Sequence, residues 1–189
     1  CHYIHGFTDG VLKLMKQKQI KPDDIEEITC FLPHMTLFIA VPRRIKVKPA
    51  NLTISQWSLP FCLAVAIIDG HLLHPAEQLS PERLNDAKVL ELAERIKGKL
   101  REELDEVIEK EHVLQSPFRL KSKDGKEYEA TTSCKGFPNN PLSKEEIDFK
   151  FNALTSRVLS EEKATNLYSM LSKVEELEDI SELAGAMCR

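Results

Sequence analysis

Apolar residues recur along this chain in three patterns. Near the start Phe7, Val11 and Met15, with Leu14 beside them, return at helical spacing and mark one face of a helix. Lys21-Pro22-Asp23-Asp24 interrupts that face with a turn. Over residues 25–41 the pattern is extended, with Ile28, Cys30 and Leu32 alternating against polar neighbours before an apolar stretch at 37–41. From 58 to 70 apolar residues go all the way round, which predicts a short helix buried on every side. Ser58 suits its N-cap, Pro60 its first turn and Gly70 its C-cap.

The second half is more charged and more strongly punctuated. Ser80-Pro81-Glu82-Arg83 starts an amphipathic helix that the pattern carries to about Ile96, and residues 100–111 are ambiguous between helix and strand. Residues 112–120 and 126–134 form a hairpin around Lys123-Asp124-Gly125. Phe118 and Leu120 share a face of its first strand, and Tyr128, Ala130 and Thr132 share a face of its second. Two prolines then stiffen the loop at 135–142, after which Ser143 and Glu146 have capping-box spacing. Everything beyond is helical. Ile147, Phe151 and Leu154 line one helix, Ala164, Leu167, Leu171 and Val174 the next, and Ile180 and Leu183 a short last one.

The expected class is α+β, a small domain with an antiparallel sheet and packed helices followed by C-terminal helices. Its divisions are expected at 1–134 and 135–189. With 189 residues and 42% hydrophobic content, the chain can bury a real core. A net charge of -4 gives no polyanion-binding signal, which argues against nucleic acid. No apolar run reaches the roughly 18 residues that span a bilayer, and no signal peptide is visible. Five scattered cysteines (Cys1, Cys30, Cys62, Cys134 and Cys188) without a CxxC pair suit reduced thiols in the cytoplasm. The chain enters helical periodicity almost at Cys1, and its tail helices exceed what the α+β part can cover. Both features read as a missing upstream helical body.

Candidate chemistry is sparse. Cys1, His2 and His5 cluster at the entry to the first helix; zinc would want a fourth ligand, and none stands at motif spacing. An imidazole near a helix N-terminus has its neutral form favoured, which suits a general base or a donor. From local sequence alone an ordinary histidine at a helix start is the better reading of His5. Arg43 and Arg44, in the basic run 42–51, suit carboxylate binding or a solvated loop. His34, His71, His74 and His112 are dispersed, with structural roles the default. There is no Gly-rich phosphate loop, nucleophile elbow or HExxH motif.

Taken in order, several landmarks resemble the MmgE/PrpD family, which includes 2-methylcitrate dehydratase, cis-aconitate decarboxylase and iminodisuccinate epimerase. They are Cys1-His2-Tyr3-Ile4-His5 leading to Asp9, and Ser58-Leu59-Pro60-Phe61 running to Asp69-Gly70. The Lys123-Asp124-Gly125 hairpin, the 135–143 segment with Lys150-Phe151, and the closing stretch 174–183 complete the set. The resemblance implies an α+β lid plus helices returning to a helical domain built from both chain ends. It implies metal-independent lyase or isomerase chemistry on small polycarboxylates, without a cofactor, in a homodimer. By motif His5 matches the active-site histidine of this half, and Arg43 or Arg44 is the expected carboxylate partner. The remaining acid/base groups of the family belong to the N-terminal half, so this portion is expected to be inactive alone. The alternative is a non-catalytic binding or assembly module that keeps the fold. Two positions depart from the common pattern: His2, often arginine, and Phe61, often tyrosine.

Overall fold

The first helix, α1 (His2–Lys18), buries the expected stripe of Phe7, Val11, Leu14 and Met15 together with Ile4. Two glycines share that buried side, Gly6 and Gly10, one turn apart. The structure is a computed structural model that describes residues 1–138 and 140–187, and at 75 and 76 the backbone alone. Asn139, inside the stiff loop, and Cys188 lie outside the described residues. The chain divides into two compact units, Cys1–Pro141 and Leu142–Arg189, so the loop after 134 belongs with the first.

In the first unit β1 (Ile25–Leu32) is the central feature. A bulge between Ile25 and Glu27 lets Ile25 and Ile28, three apart, both reach the core, while Cys30 and Leu32 follow by ordinary alternation. The strand stops sooner than the sequence pattern suggests. Pro33 follows it, and residues 34–39 wind into a 3-10 turn whose first amide, on His34, donates to Asp105 at 3.0 Å. The basic run is likewise no open loop: it forms α2 (Arg43–Val47), followed by α3 (Leu52–Gln56).

The all-apolar helix α4 (Leu59–Asp69) is capped as its residues indicate. Ser58 Oγ accepts from Phe61 N at 3.2 Å, and Gly70 takes a left-handed conformation at φ 77°. Every residue from Leu59 to Ile67 is buried. After the short α5 (Pro75–Gln78), the expected long helix from 80 resolves into a 3-10 turn at Arg83–Asn85 and then α6 (Ala87–Glu94). The break has a cause: Asp86, in extended conformation, accepts from Lys88 N at 2.9 Å and so restarts the helix as its N-cap.

Residues Ile96–Leu100, which run on from the helix end expected near Ile96, form β2 and pair in parallel with β1 from Ile28↔Ile96 to Leu32↔Leu100. Gly98 permits this approach, since a Cβ there would overlap the Ala40 methyl and lie 2.9 Å from Leu32 Cδ1. The ambiguous acidic stretch becomes α7 (Glu103–Glu111). The hairpin is present as β3 (Gln115–Ser122) and β4 (Glu127–Ser133), with Gly125 at φ 84° in its turn. Its register sets Phe118 opposite Ala130 and Leu120 opposite Tyr128, as the alternation predicts.

Among the described residues the sheet has four strands in the order β2-β1-β3-β4. The pairs β1–β3 and β3–β4 are antiparallel, and the parallel pair β2–β1 makes the sheet mixed. Helices α1, α4 and α6 cover one face, and the core lies between. The other face is charged, with Lys97 paired to Glu27 and Arg119 3.7 Å from Glu127.

The second unit contains α8 (Lys144–Thr155), α9 (Glu161–Leu171) and α10 (Ile180–Ala186). The capping box is present in both directions: Glu146 N donates to Ser143 Oγ at 3.2 Å, and Ser143 N donates to Glu146 Oε2 at 3.0 Å. Helices α8 and α9 are tied by Lys144, which donates to Asp148 Oδ2 at 2.7 Å and to the Tyr168 hydroxyl at 2.9 Å. The Tyr168 hydroxyl in turn donates to Asp148. Only Ala164, Leu167 and Leu183 are buried in the described part of this unit, while Ile147, Phe149 and Ile180 are at least half exposed.

Candidate active site

The chemistry-bearing face of α1 begins at its first turn. With its apolar side against the sheet, positions 2, 5 and 9 fall together on the other side, at i, i+3 and i+7. His2 and His5 are exposed, and Asp9 is half-buried. The His2 ring lies 4.0 Å from Tyr3 and 6.3 Å from Phe137, centroid to centroid. Aromatic contacts continue from Tyr3 to Phe38 at 6.0 Å and from Phe38 to Trp57 at 5.7 Å.

Close packing fixes this face relative to the end of the hairpin. Thr132 Oγ1 donates to Gly6 O at 2.6 Å. A Cβ on Gly6 would overlap Ser116 Oγ and lie 3.3 Å from Cys134 N. The chain leaving β4 therefore passes directly over the first turns of α1, and it is held there by its own hydrogen bonds. Gly136, at φ 90°, donates to Asn140 O at 2.8 Å, and Asn140 Nδ2 donates to Ser133 O at 2.9 Å. Lys135 stands close enough to Asp9 for their charges to interact. Burial pushes the Asp9 carboxyl above its ordinary value, and the Lys135 charge opposes that rise. Burial also raises the Cys134 thiol, as does the neighbouring Asp9.

The structure distributes the sequence candidates unevenly. His5 sits on the face just described. Arg43 is engaged elsewhere: its guanidinium donates to Ile96 O at 2.7 Å, to Glu94 O at 2.5 Å and to Glu94 Oε2 at 3.0 Å, joining the end of α6 to the start of β2. Arg44 is exposed on α2. Lys46, from the same basic run, is buried and donates to Trp57 O at 2.8 Å; desolvation lowers its ammonium. Phe61, where a tyrosine is common, is fully buried on α4.

His34 pairs with Asp105 at 2.8 Å. His71 and His74, dispersed by sequence, meet edge-to-face at 5.6 Å, and the buried Nδ1 of His71 has no hydrogen-bond partner. Burial pushes the Cys62 thiol up to about 12 and the Cys30 thiol up as well, so neither is a thiolate near neutral pH. Among the described residues no group of three or more His, Cys, Asp or Glu is placed to hold a metal ion. Among them, too, no helix is long and apolar enough to cross a membrane. Two surface clefts, one bounded by Asp23, Ile68 and Lys88 and the other by Lys18, Lys123 and Tyr128, do not include His5.

Sequence reading did not join Lys135 to this site. The i,i+4 spacing of His5 and Asp9 was there to be used. The approach of Lys135 across the β4 loop had no local signal.

A mixed four-stranded sheet with helices on one face and a histidine on its first helix defines an α+β domain with an open candidate site. The profile of the MmgE/PrpD C-terminal domain matches residues 1–176, and the chain belongs to that family. No curated protein matches the chain.

Proposed function

We propose that this chain is the C-terminal portion of a metal-independent lyase or isomerase acting on small polycarboxylates, of the 2-methylcitrate dehydratase kind, and inactive by itself. The single observation that carries this reading is the family match over residues 1–176, which includes the helix that presents His5. His5 is the acid/base group contributed by this half. Removing a proton beside a carboxylate needs a positioned base and cationic groups for the charge that develops. Arg44 serves a distal carboxylate of the substrate, and Arg43 does so only by releasing Glu94.

Exposure of His5 supports the incompleteness of the site. Excluding water strengthens the interactions that stabilise the charge formed on proton abstraction, and a second surface over the exposed imidazole would provide that exclusion. A helical N-terminal domain supplies that surface in this reading. The exposed Ile147, Phe149 and Ile180 of the second unit then dock on the same helical body, within a cytoplasmic homodimer.

The phenylalanine at position 61 favours a second reading, a binding or assembly module without turnover, because it offers no hydroxyl where a tyrosine is common. Turnover of 2-methylcitrate and cis-aconitate by the full-length protein separates the two. Under the leading reading the full-length protein turns over one of them, and His5→Ala lowers the rate about 10²–10⁴-fold. Unchanged turnover in that variant removes His5 from the mechanism. Activity of the 189-residue chain alone overturns the claim of incompleteness.

A further inference from the structure

The cation that the β4 loop carries to the His5 face is not one of the arginines nominated by sequence. Arg43 is held by three acceptors at the junction of α6 and β2, and Arg44 lies on α2. On α1 itself the site face carries His2, His5 and Asp9, and no lysine or arginine precedes Lys13. The loop leaving β4 brings Lys135 across this face, with Cys134 N against Gly6 and the Asn140 hydrogen bonds fixing the turn behind it.

We propose that Lys135 is the carboxylate-binding cation of the His5 site and that Asp9 is the positioning residue that holds its ammonium there. This rests on the polycarboxylate reading above and deepens it. Asp9 lies one helical turn from His5, so a cation held by Asp9 is also beside His5. A lysine ammonium has three donors, enough to donate to Asp9 and to a substrate carboxylate at once. Lysine is otherwise a flexible point charge, and a half-buried counter-ion restricts it. The Asp9 carboxylate also carries a burial penalty that a nearby cation relieves. During proton abstraction the developing charge spreads onto the carboxylate that Lys135 holds, which is where a fixed cation lowers the barrier. Cys134 from the same loop also interacts with Asp9, and His2 and His5 share its side of α1, so among these groups Lys135 supplies the ammonium.

The experiment uses the isotopically labelled 189-residue chain, with citrate as the probe tricarboxylate. Millimolar citrate is expected to shift the resonances of the His5 ring and the Lys135 side chain. Lys135→Gln weakens citrate binding on the order of tenfold or more, the cost of losing a hydrogen-bonded charge. Lys135→Arg restores most of it, and Lys110→Gln, an equal loss of charge on α7, has no effect. Without ligand, Lys135→Gln raises the titration midpoint of the Asp9 carboxyl, because it removes the charge that opposes the rise caused by burial. Equal citrate affinity in wild type and Lys135→Gln overturns the assignment and leaves the polycarboxylate reading standing. No citrate shift in the wild type overturns the assignment of Lys135, while the polycarboxylate reading is decided separately by turnover in the full-length protein. An unmoved Asp9 midpoint overturns the positioning role of Asp9.

Discussion

At the scale of single residues, two glycines make opposite demands. Gly6 faces the sheet, where a Cβ would overlap Ser116 Oγ and come within 2.9 Å of Ser116 Cβ, while Gly185 in α10 has nothing within 4 Å of a Cβ. Helix propensity favours alanine at both by about 1 kcal/mol. At Gly6, overpacking costs about 1–3 kcal/mol and outweighs it. Gly6→Ala is therefore expected to lower the urea midpoint of the first unit, and Gly185→Ala to raise helicity in the second by circular dichroism. Asp9 gives a pH prediction at the same scale. Its folded pKa is raised above 3.8, so the native state binds more protons than the unfolded chain in the window above that value. The stability contributed by protonated Asp9 is full below 3.8 and is lost as pH rises through the raised folded value. Asp9→Asn removes that loss, so its stability relative to wild type climbs with pH across the window. Denaturant titrations at stepped pH that show the opposite slope contradict the burial of Asp9.

At the scale of elements, caps and breaks decided the outcome more than periodicity did. Ser58 is the critical cap. Its hydroxyl accepts from Phe61 N and also donates to Lys46 O, and the site is fully buried. Ser58→Ala removes a cap worth about 1 kcal/mol and leaves a buried carbonyl unpaired at about 1–3 kcal/mol. Ser143→Ala, at the exposed capping box of α8, costs only about 1 kcal/mol. Urea denaturation of the two variants should rank them in that order; a larger loss at Ser143 would contradict the burial argument. The helix α4 and the hairpin were legible because Ser58, Pro60, Gly70 and Gly125 state their own conformations. The end of β1 at Leu32 and the restart at Asp86 were less so, because each depends on a partner or cap competing with an apolar pattern that runs straight through.

At the scale of the whole molecule, the charged sheet face and the sparsely buried second unit contrast with the dense core under α4. Exposed ion pairs such as Lys97–Glu27 contribute about 0–1 kcal/mol each, so the first unit is stabilised chiefly by its apolar core. The second unit shows large apolar groups that its own packing leaves uncovered. Ile147→Asp together with Phe149→Asp is expected to change the stability of this chain by no more than about 0.5 kcal/mol per site. In the full-length protein the same pair is expected to impair assembly, read by sedimentation or light scattering. Unchanged assembly would remove the docking role proposed for α8.

By itself the sequence determined the α+β class, the buried α4, the hairpin register, the capping box before α8 and the family resemblance that the profile match bears out. Those features rest on local chemistry: caps, turn residues and alternation act within a few residues of one another. Only the tertiary structure decided that Ile96–Leu100 is a parallel strand, that Arg43 joins α6 to β2, and that the charges of Lys135 and Asp9 interact. Each of these joins residues more than fifty positions apart. Such a pairing depends on where the rest of the chain places the partner, and neither periodicity nor spacing carries that information.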